Sequence, residues 1–145
     1  MATPTSPVLL TPSNNATVHG NVLIFTFTVP TDTDNDGLVF RIELDTNSPI
    51  NPLSSHYKVN ESRFAMDLKT HGKWEVNNSS VWEIIPTGGL SSDYYGKEAK
   101  ITIRKQDTVN YPDISGYWYW QISASDNMIT EPIYNQVIFG QCIFS

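Results

Sequence analysis

The chain has 145 residues, 17% of them charged and 12% aromatic, with a formal net charge of −6. That length suits one domain whose core needs neither disulfide nor metal, and the acidic balance offers no basic stripe for nucleic acid. No apolar run approaches the roughly 20 residues of a membrane span, and the single cysteine, Cys142, excludes an internal disulfide framework.

The opening carries no basic segment ahead of an apolar stretch, so it does not read as a secretory signal. Residues 1–6, with Pro4 among Thr and Ser, are expected to form a flexible tail, and residues 7–145 a single domain. Val8-Leu9-Leu10 reads as a first strand, closed by the turn Thr11 to Asn15. From Asn21 to Val29, Leu23, Phe25, Phe27 and Val29 share one face, and Pro30 ends the strand. Thr31 to Gly37 is an acidic turn. Leu38, Phe40, Ile42 and Leu44 then alternate with Val39, Arg41, Glu43 and Asp45, which predicts a half-buried strand with Glu43 and Asp45 facing water.

Asn47 to Pro52 is a loop, followed by two short edge strands at Tyr57-Lys58-Val59 and Arg63-Phe64-Ala65-Met66. Lys73 to Val76 and Val81 to Ile85 form a hairpin about the turn Asn77 to Ser80, stopped by Pro86-Thr87-Gly88-Gly89. Ala99, Ile101 and Ile103 alternate with Lys100, Thr102 and Arg104. After the turn Tyr111 to Gly116, Trp118, Trp120, Ile122 and Ala124 fall on one face of an aromatic-rich strand, and Asn135 to Phe139 is the last strand. No stretch keeps a 3.6-residue apolar period. Seven or more short strands punctuated by Pro, Gly and Asn predict an all-β antiparallel sandwich with an elaborated middle segment.

Three stretches carry a resemblance. Leu10-Thr11-Pro12-Ser13-Asn14-Asn15 with the strand ending Val29-Pro30, Asp34-Asn35-Asp36-Gly37 with Leu38 to Ile42, and Gly116 to Asp126 resemble the first, second, third and sixth strands of fibronectin type III and related immunoglobulin-like modules. Trp118 stands where that family usually has the tyrosine of its corner motif. The segment Lys73 to Lys105, with Trp74, Trp82, Gly88-Gly89-Leu90 and Tyr94-Tyr95-Gly96, is similar to modules of phage and bacterial surface proteins. The resemblance implies an immunoglobulin-like sandwich.

Asp32-Thr33-Asp34-Asn35-Asp36-Gly37 with Glu43 matches the EF-hand pattern letter for letter. An extended strand from residue 38 carries Glu43 about 20 Å beyond Gly37, too far to share an ion with Asp32. A different calcium site is the candidate, with Asp32, Asp34 and Asp36 brought near Asp126 and Asn127 at one end of the sandwich. The plain alternative is a solvated acidic turn. Matches to the glycosylation pattern at Asn15, Asn60, Asn77 and Asn78 are expected by chance in so Asn- and Ser-rich a chain.

His19, His56 and His71 lack metal-ligand spacing, no Gly-x-Ser-x-Gly occurs, and Cys142 has no base that the sequence can name. The expectation is a protein that is not an enzyme. Trp74, Trp82, Tyr94 and Tyr95 are the candidate ligand-binding residues, as a sugar-stacking platform or a protein interface. Trp118 and Trp120 are expected in the core. An exported-type fold without an export signal predicts a phage virion accessory protein, a capsid decoration, head-fibre or tail component bound by protein–protein contacts. The alternative is a carbohydrate-binding or adhesion module of a secreted bacterial protein, with a cell-surface glycan as partner. Open sheet edges make a homo-oligomer a further expectation.

Overall fold

A computed structural model describes residues 7–32, 37–64, 72–104, 114–126 and 136–144. The described elements are all strands apart from one 3-10 turn, Ser92–Tyr94. In chain order the strands are β1 (Val8–Thr11), β2 (Ala16–Val18), β3 (Val22–Thr28), β4 (Val39–Asp45), β5 (Lys58–Glu61), β6 (Lys73–Asn78), β7 (Val81–Ile84), β8 (Glu98–Arg104), β9 (Gly116–Ser125) and β10 (Gln136–Phe144). No helix among them is long and apolar enough to cross a membrane.

The strands form two sheets of five. One has the order β1-β3-β8-β6-β7 and the other β2-β10-β9-β4-β5. Every pairing is antiparallel except that of β2 with β10, which is parallel. Alternation explains the packing, because every second side chain of a strand points the same way. Leu23, Phe25 and Phe27 of β3, Ala99, Ile101 and Ile103 of β8, and Trp74 and Val76 of β6 meet Phe40, Ile42 and Leu44 of β4 and Trp118, Trp120, Ile122 and Ala124 of β9 in one core. Phe25 lies with its ring centroid 5.7 Å from that of Trp120, and Phe27 5.2 Å from that of Phe40. These contacts cross between the sheets and set β3 over β9 and β4, in tilted geometries that aromatic pairs favour.

Several expected elements change on folding. The first short edge strand runs Lys58–Glu61, whereas Arg63 and Phe64 lie in a turn and Ala65 and Met66 fall outside the described residues. The final strand continues to Phe144, five residues past its expected end, and so carries Cys142 into the interior. Its last three residues pair with β2, a strand too short to announce itself by pattern. The hairpin closes on Ser79 and Ser80 alone, both at positive φ (53° and 72°), and Asn77 Oδ1 accepts the Ser80 N–H at 2.9 Å. Positive φ at both central residues is the backbone that matches the twist of a two-residue hairpin. At the start of β9, the Trp118 indole N–H donates to the Ser115 carbonyl at 2.9 Å.

Gly140 faces Trp120 across the β9–β10 ladder. A Cβ at this position would overlap the Trp120 ring, so the glycine is required by the indole that fills the core. Gly140→Ala is expected to lower stability by about 1–3 kcal/mol through overpacking, measured as a reduced midpoint in chemical denaturation.

Candidate functional site

The aromatic candidates do not meet on one surface. Trp74 is 4% exposed and sits in the core, stacked at 6.2 Å on Phe40 and edge-on at 6.2 Å to Phe27. Trp82 pairs across the hairpin with Asn77, and so projects from the opposite face of the sheet. Lys100 Nζ lies 4.0 Å from its ring centroid, a cation–π contact that occupies one ring face. Tyr94 and Tyr95 are half-buried against the core, and the Tyr94 hydroxyl donates to Glu83 Oε2 at 3.1 Å. That hydrogen bond raises the Tyr94 pKa above its ordinary value.

Of the acidic candidates, Asp32 is buried at 3% exposure and Asp126 is half-buried. Pairing of Val39 with Ser125 brings the start of β4 and the end of β9 to the same end of the protein. Asp34, Asp36 and Asn127 lie outside the described residues. No group of three or more His, Cys, Asp or Glu side chains among the described residues is placed to hold a metal ion. Cys142 is buried, its Sγ 3.6 Å from the Ser13 carbonyl, and burial pushes its thiol up. A raised pKa keeps it in the less reactive thiol form.

The main correction concerns β4. Glu43 and Asp45 do not face water: they are 5% and 0% exposed, and Val39 on the same face is also 0%. Two polar arrangements cover this face. Glu43 Oε2 accepts the Tyr57 hydroxyl at 2.9 Å, and its Oε1 accepts Gln121 Nε2 at 2.8 Å and pairs with Arg41 Nε at 3.2 Å. Burial, and then the nearby Glu43 carboxylate, push the Tyr57 phenol well above its ordinary value. Tyr57 therefore keeps its proton and serves as a donor.

Asp45 organises the loop of residues 46–57. Its Oδ1 accepts the Thr46 N–H at 2.7 Å and the Ser54 hydroxyl at 2.9 Å, and its Oδ2 accepts the Asn51 N–H at 3.0 Å. Asn51 Oδ1 in turn accepts the Leu53 N–H at 3.0 Å, and Ser54 Oγ the His56 N–H at 3.1 Å. Burial alone would raise the Asp45 carboxyl. The donors from Asn51, Ser54, Thr46 and Asn47 outweigh it and hold the group below its ordinary 3.8.

This loop displays Leu53 at 93% exposure. A leucine projecting from a hydrogen-bonded loop gains nothing from the fold that carries it. At the loop's base, Asp45 pairs with Tyr119, and Tyr117 with Ile143. Tyr117 and Ile143 are 47% and 38% exposed, and the Tyr117 and Tyr119 rings stand 5.9 Å apart. Tyr117, Tyr119 and Ile143 lie on the outer side of the second sheet, at the end where β4 passes into the loop that carries Leu53. The exposed leucine had no sequence signal beyond its place in a polar loop, whereas the aromatic run did mark Tyr117 and Tyr119.

No protein-family model matches the chain, and no curated protein matches it either.

Asp45→Asn places an amide donor against donors and is expected to cost about 2 kcal/mol at neutral pH, read by denaturation. Because the folded pKa is depressed, the aspartate's contribution is fully present above its ordinary 3.8. It is lost as pH falls through the lower folded value, so the gap between wild type and variant closes in acid.

Proposed function

We propose that this chain is a non-enzymatic attachment module that binds another protein through the surface built from Leu53, Tyr117, Tyr119 and Ile143. The observation that carries this reading is Leu53, held almost fully exposed by a loop whose carboxylate anchor is saturated with donors. Preorganisation of this kind lowers the ordering cost of association. Large apolar and tyrosine side chains on a rigid support are the usual anchors of protein interfaces. The buried acids of β4 are consumed in holding this loop, which supports a scaffold rather than a reaction centre.

An immunoglobulin-like assignment finds support in the strand order. The row β1, β3, β8, β6 follows the A, B, E, D order of such sandwiches, and β10, β9, β4 follow G, F, C, with β5 as an added edge. The bond from Trp118 to the Ser115 carbonyl also serves as a corner, with an indole in the role of the phenol. The resemblance of the Lys73 to Lys105 segment to modules of phage and bacterial surface proteins extends the proposal to a virion accessory protein, bound to a capsid, head fibre or tail.

The test is sedimentation of the purified protein with phage particles that lack it. Wild type is expected to pellet with them. Leu53→Asp, on an exposed position that leaves the core untouched, is expected to reduce pelleting at least about tenfold, the scale of one lost interface anchor. Failure of the wild type to pellet with any such particle, or equal pelleting of the variant, overturns the reading.

A further inference from the structure

Among the described residues strand β7 ends the first sheet; it is short, and its charged Glu83 faces inward. Its residues Val81, Trp82, Glu83 and Ile84 include neither proline nor lysine, and Val81 and Ile84 are 60% and 53% exposed. The hairpin register shows which backbone groups are directed outward. Ile85 N–H bonds to the Trp74 carbonyl, and the antiparallel pairs continue as Val76 with Glu83 and Asn78 with Val81. Hydrogen-bonded pairs alternate along such a ladder. The N–H and C=O groups of Glu83 and Val81 therefore point to β6, and those of Trp82 and Ile84 point away from the sheet.

Two features lie beside this edge on its core-facing side. Glu83 accepts hydrogen bonds from Asn78 Nδ2 at 2.9 Å and from the Tyr94 hydroxyl at 3.1 Å, both neutral donors. No cation pairs with it among the described residues. A cleft of about 110 Å³ opens next to it, lined by Ser62, Phe64, Trp74, Ile84, Pro86 and Thr87. Trp74 is 4% exposed, and its indole N–H has no hydrogen-bond partner among the described residues.

We infer that β7 receives an extended strand from a partner protein, added antiparallel to the edge, with a basic residue opposite Glu83 and an apolar side chain in the cleft. The outward groups of Trp82 and Ile84 supply the ladder bonds of such strand addition. Opposite Glu83 the added strand has a non-hydrogen-bonded position, where facing side chains come closest. Two positions earlier on the added strand, the residue opposite Ile85 points the same way and meets the cleft, which has room for one aliphatic side chain. Read from its N-terminus, the incoming strand therefore carries the pattern apolar, any residue, basic. Charge decides against a second copy of this chain. The antiparallel self-pairing that satisfies Trp82 and Ile84 of both copies sets Glu83 opposite Glu83, and like charges directly opposite each other destabilise a sheet.

The experiment titrates the intact protein with two short synthetic peptides and follows tryptophan fluorescence and calorimetric heat. Both peptides alternate threonine and valine, with leucine and lysine at the two chosen positions in one, and leucine and glutamate in the other. The lysine peptide is expected to bind about fivefold more tightly than the glutamate peptide, the range of a cross-strand charge pair. Glu83→Lys reverses this preference, and Glu83→Gln abolishes it while retaining an acceptor for Tyr94. Thr87→Trp, at an exposed turn position, blocks the cleft and weakens the lysine peptide in the wild-type background. Circular dichroism establishes that each variant is folded, and Glu83→Gln stands in if Glu83→Lys does not fold. Absence of binding by either peptide, or a preference that neither Glu83 variant alters, overturns the inference. Self-association of the wild type, lost in Ile84→Lys, would assign the edge to a second copy and overturn it as well.

Discussion

Strand β4 carries two acidic side chains on the face turned away from the core, and both are buried. A carboxylate loses most of its hydration on burial, and only compensating donors make that tolerable. For Asp45 the donors include two backbone N–H groups and a hydroxyl from the loop that follows. For Glu43 they are the Tyr57 phenol and the Gln121 amide, with the Arg41 guanidinium alongside. The constraint runs in both directions. The loop is folded because the acids require its donors, and the acids are buried because the loop covers them. Leu53 is exposed as a consequence of this closure.

The core on the other face of β4 gives that arrangement a fixed base. Phe40, Ile42 and Leu44 pack among Phe27, Trp74, Trp118 and Trp120, and every one of these residues is less than 5% exposed. Strand position is thereby determined to within a residue, since a slip by one would exchange the aromatic face for the acidic one. The backbone of β4 is held by apolar packing and its far face by hydrogen bonds, and the proposed attachment surface lies on the second. At the opposite margin the hairpin β6–β7 follows a different logic. Trp74 secures it from inside, and the ladder groups of Trp82 and Ile84 on its outer strand point away from the described sheet.

Much of the strand pattern is legible from alternation alone. The apolar faces of Val22–Thr28, Val39–Asp45 and Gly116–Ser125 are core faces, and the hairpin lies where its turn residues suggest. The polar face of β4 departs from expectation for a physical reason. Arg41, Glu43 and Asp45 give the same alternation whether water or a loop covers them, and two of the donors for Asp45 are backbone N–H groups that leave no trace in residue type. Trp74 likewise lies inside because β6 packs above β4, a relation between strands far apart in sequence. Strand β2 depends on pairing with Cys142 to Phe144, more than a hundred residues away. Local pattern reports which side chains share a face, and only the tertiary arrangement determines what covers it.

Amide hydrogen exchange at Thr46 and Asn51 reports whether Asp45 holds the loop, because both N–H groups donate to its carboxylate. Protection on the order of a hundredfold or more is expected, approaching that of the neighbouring sheet amides of β4. Exchange of either amide at the rate of an unstructured chain, while β4 itself stays protected, would show that the buried acids do not hold the loop.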